Sequence, residues 1–89
     1  MRRCDVTVAN RLGLHARAAA RFVHVASRFS CRVTVSKDGQ GVDGKSILGL
    51  LTLAAPQGSV LQLAVDGADE EQALSALEAL VRQRFGEHN

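Results

Sequence analysis

The segment Gly13-Leu14-His15-Ala16-Arg17 sets an imidazole two residues ahead of a guanidinium, where a run of helical periodicity begins. The position matters because the first turn of a helix carries backbone N–H groups with no intrahelical acceptor and about half a positive charge, which makes it an anion site. Gly13 lets the chain approach that end closely, and Arg17 offers forked donors suited to phosphate oxygens. A free imidazole, with a reference pKa near ~6.5, is largely uncharged near neutral pH, so its nucleophilic form is available. A phosphoryl group on His15 would bring roughly two negative charges beside the backbone of Ala16 and Arg17 and the Arg17 side chain. The pattern favours covalent holding of a phosphoryl group; the alternative from a different class is a regulatory module that binds a free anion there.

No Cys, Ser-His-Asp arrangement or pair of carboxylates stands near His15 in sequence, so self-contained catalysis is not expected. His24 and His88 read as solvated residues, and the three histidines share no metal-ligand spacing, so neither metal nor cofactor is expected. Cys4 and Cys31 fit no metal spacing either; both fall on the apolar phase of strand-like alternation and read as small core residues.

The elements that must position these groups follow from periodicity. Cys4, Val6 and Val8 alternate with polar neighbours and predict a strand over Arg3–Ala9. Ala19, Phe22, Val23, Ala26 and Phe29 recur at helical spacing opposite Arg17, Arg21, His24 and Arg28, which predicts an amphipathic helix over Ala16–Phe29. Cys31, Val33 and Val35 mark a second strand, and Asp38-Gly39 a hairpin turn to a short third strand, Gln40–Asp43. Ser46 is a natural N-cap for a helix over Ile47–Leu53 that stops before Pro56. Val60–Val65 alternates as a fourth strand. Asp69 with Gln72 resembles a capping box, and Glu70 and Glu71 put negative charge in the first turn of a last helix whose buried stripe is Leu74, Leu77 and Val81. The order β-α-β-β-α-β-α predicts a two-layer α+β sandwich with helices on one face of a mainly antiparallel sheet.

Composition narrows the function. Eighty-nine residues, 46% hydrophobic and 22% charged, predict one domain over 1–89 that buries roughly 60 to 70 per cent of its unfolded surface without staples. A net charge of +2 and 3% aromatic residues lack the basic balance and stacking platform of a nucleic-acid binder. The longest apolar stretch, Ile47 to Pro56, is far shorter than the ~20 residues of a spanning helix, and no signal-peptide pattern is seen, so no membrane insertion and a cytoplasmic setting are expected.

Gly-Leu-His-Ala-Arg at 13 to 17, Asp43-Gly44-Lys45-Ser46-Ile47, and Asp66-Gly67-Ala68-Asp69-Glu70 occur in the order and at the intervals of the histidine-containing phosphocarrier (HPr) family of the bacterial phosphotransferase system, which the chain resembles over nearly its whole length. The resemblance implies a four-stranded antiparallel sheet of order 1-4-2-3 under three helices. It implies that His15 accepts phosphoryl from phospho-enzyme I and donates it to a IIA domain, the chain acting as a monomer. Where the family usually has proline after the motif arginine, this chain has Ala18; the change should loosen pre-organisation of the first turn without removing a phosphate donor.

The same resemblance makes Ser46 a target for an HPr kinase/phosphorylase whose action opposes transfer at His15. Ile47, Leu48, Leu50, Leu51 and Leu53 are too many apolar residues for one face of a two-turn helix, so Ile47, Leu48 and Leu51 are expected in a docking patch rimmed by Arg17, Arg21 and Lys45. A nitrogen-related paralogue with a purely regulatory role is the near alternative; Lys45-Ser46-Ile47 favours the HPr side.

Overall fold

In the computed structural model, which describes residues 1–89, strand β1 (Arg2–Thr7) is followed by helix α1 (Ala16–Ala26), strands β2 (Arg32–Lys37) and β3 (Gln40–Asp43), helix α2 (Ile47–Thr52), strand β4 (Val60–Asp66) and helix α3 (Glu70–Arg82). A 3-10 turn over Arg84–Gly86 ends the order. The strands form one antiparallel sheet, β1-β4-β2-β3, whose helices cover a single face.

Alternation sets the layers. Val6, Val8, Val33, Val35, Leu61, Leu63 and Val65 are buried beneath the helices, while Asp5, Thr7, Arg32 and Gln62 face the open side. Register keeps the buried set together, with Val6 opposite Leu61, Val35 opposite Leu63 and Val33 opposite Val65; a one-residue slip would turn all of them to water. The Lys37–Gln40 pair closes the β2–β3 hairpin, with Asp38 and Gly39 both at positive φ, the geometry that Asp-Gly favours.

Helix α1 ends at Ala26, three residues short of the expected Phe29, because Arg28 and Phe29 turn back through i→i−3 hydrogen bonds to Val25 and Ala26. Its core side is built from small residues around one large one, Ala18, Ala19, Phe22 and Ala26, which brings the helix close to the sheet. Burying a ring such as Phe22 contributes about 1.5 to 3 kcal/mol. The expected capping box at α3 does not form. The Asp69 carboxylate leaves its own helix and accepts from the backbone of Ser30 and Cys31 at 2.8 and 2.9 Å, tying the α1–β2 connection to α3. Those bonds, chiefly the one from Ser30, outweigh partial burial and hold the Asp69 carboxyl below its ordinary value. Glu70 instead accepts from Gly67 N–H.

The cysteines are free. Burial first, then nearby Glu78, pushes the Cys4 thiol up to about 11, and burial with Asp69 raises Cys31. Neither is a thiolate near neutral pH.

Candidate phosphoryl-acceptor site

His15 is the N-cap of α1, with extended backbone (φ −82, ψ −179), and its carbonyl accepts the first helical bond from Ala19 at 2.8 Å. Its Nδ1 accepts from the Arg17 N–H at 3.3 Å. Nδ1 therefore holds a lone pair and the ring proton lies on Nε2. The Ala16 N–H lies in the same first turn, and neither it nor that of Ala18 has a backbone acceptor. Because the Ala18 N–H has no acceptor, proline at this fully buried position would remove no backbone bond.

The loop before His15 is shaped by two residues. Gly13 has φ +70, and a Cβ there would lie 2.5 Å from the Ala55 carbonyl oxygen and 2.8 Å from Pro56 Cα, while Leu14 N–H donates to the same Ala55 oxygen at 2.9 Å. Gly13→Ala is therefore expected to lose about 2 to 4 kcal/mol, from the left-handed backbone and from overpacking against main chain. A denaturant melt checks this; a loss under about 1 kcal/mol would mean the loop moves freely. Asn10 is wholly buried, and its Nδ2 donates to Gly13 O at 2.8 Å and to Glu87 Oε1 at 2.7 Å. Its Oδ1 has no donor.

Glu87 is the partner that lies far away in sequence. Its Oε2 is 2.6 Å from His15 Nε2 and 3.4 Å from Arg17 Nε, with the carboxylate side chain 11% exposed. Burial works to raise this carboxyl, but hydrogen bonds from Asn10 and His15 and the Arg17 charge outweigh it and hold it below the ordinary carboxylate value. A carboxyl depressed in the fold contributes stability above its unfolded pKa and loses it as pH falls through the folded one, so the contact is intact at neutral pH and released in acid. The tail that carries Glu87 is pinned by fully buried Phe85, by Arg21 donating to Phe85 O at 2.6 Å, and by Arg11 N–H donating to Asn89 O at 2.6 Å. Arg84 and Phe85 both have positive φ, 59 and 53. Each such non-glycine conformation costs about 1 to 3 kcal/mol and persists only where packing over-determines it. A sequence signal existed: a phenylalanine beyond the polar run Arg82-Gln83-Arg84, followed by glycine, must fold back to be covered.

The other expected residues separate into two groups. Arg17, with its side chain 63% exposed, stands beside His15. Ser46 caps α2, its Oγ accepting from Gly49 N–H at 3.0 Å, but it lies at the far end of α1, since the Lys45 ammonium donates to Phe29 O at 2.7 Å. The 11 residues of α1 separate the two ends by ~16 Å. Lys45, expected on the polar rim, is half-buried and committed to that carbonyl; Arg21 is committed to Phe85. In α2, Leu48 is 77% and Ile47 40% exposed, Leu50 is buried and Leu51 is intermediate; Leu53, expected as the last helical residue, is the buried C-cap. Leu12, not singled out in the sequence, is also exposed and lines the depression that holds Arg17 and Glu87. No group of three or more His, Cys, Asp or Glu could hold a metal ion, and no helix is long and apolar enough to cross a membrane.

The sheet of order β1-β4-β2-β3 thus lies under one layer of helices, the first of them capped by His15. The signature of the PTS-HPr family, PTS HPr component phosphorylation site, matches residues 3–83. The chain is 49% identical over 83 residues, 93% of each chain, to the phosphocarrier protein HPr of Cupriavidus necator. Among solved structures it resembles an HPr from Thermoanaerobacter tengcongensis with a TM-score of 0.96 and 44% identity over 100% of both chains. Against an HPr from Bacillus anthracis the TM-score is 0.86 at 42% identity, over 90% of this chain and 95% of that one. The chain belongs to the HPr family of phosphocarrier proteins.

Proposed function

We propose that this chain, acting over residues 1–89 as one cytoplasmic domain and as a monomer, accepts a phosphoryl group on His15 from phospho-enzyme I and donates it to a IIA domain. The observation that carries this reading is the orientation of the imidazole, whose unprotonated Nδ1 faces the amide of Arg17 at the helix N-terminus. Attack through Nδ1 consumes its lone pair and frees that amide for a phosphoryl oxygen, with the unpaired Ala16 N–H and the Arg17 guanidinium beside it. Charge that develops on transfer thus meets donors already in place. Incubation with phosphoenolpyruvate and enzyme I, followed by intact-mass measurement, should add one phosphoryl group that is lost in acid and kept in alkali; an unmodified chain would reject the reading.

Arg17→Ala should slow transfer about tenfold or more, because a charge-assisted contact to phosphate is worth about 1.5 to 3 kcal/mol. Its effect on the melt should be small, since the side chain is mostly exposed and its ion pair with Glu87 is a partly solvated one. Stopped-flow or quenched transfer from enzyme I checks this, and unchanged rates to both partners would remove Arg17 from the site.

The partner surface is read as exposed Leu48 and Ile47 with half-buried Leu51, flanked by the Arg17 and Arg21 side of α1. Ser46 lies at one end of it and is the position for an HPr kinase/phosphorylase. Ser46 makes no contact with His15 or Arg17, its Oγ being engaged with Gly49 N–H, so a charge there acts on docking and not on the imidazole. Ser46→Asp keeps an N-cap and should weaken enzyme I binding about tenfold at low salt, with the loss shrinking as salt is raised. Equal affinity of the two forms in a low-salt titration would reject Ser46 as a regulatory position.

A further inference from the structure

We infer that Glu87 is a positioning residue for phosphoryl transfer: it holds the imidazole proton of His15 on Nε2, so that Nδ1 is the acceptor atom and no proton moves at the ring as the group arrives or leaves. The inference rests on the carrier reading above and adds a residue to its machinery.

Three observations carry it. The Glu87 carboxylate sits 2.6 Å from Nε2, a short charge-assisted distance, and closes that nitrogen to any incoming phosphorus. Its second oxygen is fixed by Asn10, a wholly buried side chain that holds this orientation although its own Oδ1 is left without a donor. The tail is locked behind it by buried Phe85, by Arg21 on the Phe85 carbonyl and by the Glu87 N–H on the Arg84 carbonyl at 2.9 Å. A surface ion pair to Arg17 alone would require none of these.

The step balances without an added acid or base. The Nδ1 lone pair forms the N–P bond as the bond from phosphorus to the donor atom breaks and its electron pair stays with the donor. The ring, still protonated at Nε2, becomes a phosphoimidazolium, and Glu87 lies against the proton that shares the new positive charge. On departure the N–P pair returns to Nδ1 while phosphorus bonds to the next acceptor, and the free ring is restored with its proton on Nε2. Retaining the proton keeps the imidazole a good leaving group.

The test compares wild type with Glu87→Ala, which removes the acceptor at Nε2. The ring tautomer is read by 15N NMR of the unphosphorylated proteins. The phosphorylated nitrogen is read by 31P and 15N NMR after treatment with phosphoramidate, a small donor that needs no protein partner. Wild type should show a proton on Nε2 and phosphorus on Nδ1 alone. Glu87→Ala should show both tautomers, some phosphorus on Nε2, and transfer from enzyme I about tenfold slower. One tautomer, phosphorus on Nδ1 and an unchanged rate in Glu87→Ala would overturn the inference while leaving His15 as acceptor. Failure of wild type to take phosphoryl on any nitrogen of His15 would overturn the carrier reading itself.

Discussion

His15→Ala is expected to yield a folded protein that takes up no phosphoryl group from enzyme I and phosphoenolpyruvate. The fold should survive because the residue contributes a long cap bond of 3.3 Å and a contact to a tail held independently by Phe85 and Arg21. Loss of an N-cap costs about 0.5 to 2 kcal/mol, a fraction of the 5 to 15 kcal/mol typical of a domain. Labelling should vanish entirely, because the other two histidines lack the site: His24 and His88 are exposed, and neither lies at a helix N-terminus. Intact mass after the phosphorylation reaction, paired with a thermal melt, reads both halves of the expectation. Full labelling of a folded His15→Ala chain would place the acceptor elsewhere.

Phe85→Ala should be among the most destabilising single truncations, at about 3 to 5 kcal/mol, or a fall in Tm of roughly 15 to 30 °C for a domain of this size. The ring is fully buried where the terminal 3-10 turn packs on α1 and α3, and it belongs to the same core as Phe22, Leu61 and Leu77. Alanine at φ 53 keeps the backbone strain while losing the packing that sustains it. The tail should then detach and Glu87 leave His15, so the chain loses its distal partner along with stability. Heat or denaturant melts measure the loss; a shift under about 5 °C would show that the tail is not part of the core.

What could be read from the sequence divides along a physical line. Local signals were faithful: the Asp38-Gly39 turn, the alternation of Val33 and Val35, and the cap at Ser46 are decided within a few residues, and all three occur as expected. His15 at the mouth of α1 belongs to the same class. Element ends were less legible, because α1 stops where the chain must cross to β2 and Asp69 gives up its own helix to hold that crossing. The strand order followed from the family resemblance and not from periodicity, which does not encode which edges meet. Glu87 was hidden because it reaches His15 across 72 positions, and neither charge nor spacing near the tail points back at the loop. Asn10 was illegible for the same reason: its role depends on Glu87, which only the folded tail supplies. The Lys45 contact was equally invisible, because its carbonyl partner, Phe29, becomes free only where α1 ends early.

The central claim is that this chain carries phosphoryl groups between proteins, and the full relay tests it most directly. Phosphoenolpyruvate, enzyme I and an excess of an isolated IIA domain are mixed with a substoichiometric amount of the chain, and phosphorylated IIA is counted by intact mass. The account predicts that phosphorylated IIA rises well above the molar amount of the chain and that His15→Ala supports none of it. Phosphorylated IIA no greater with wild type than with His15→Ala, or a wild-type chain that takes the group and never passes it on, would contradict the account.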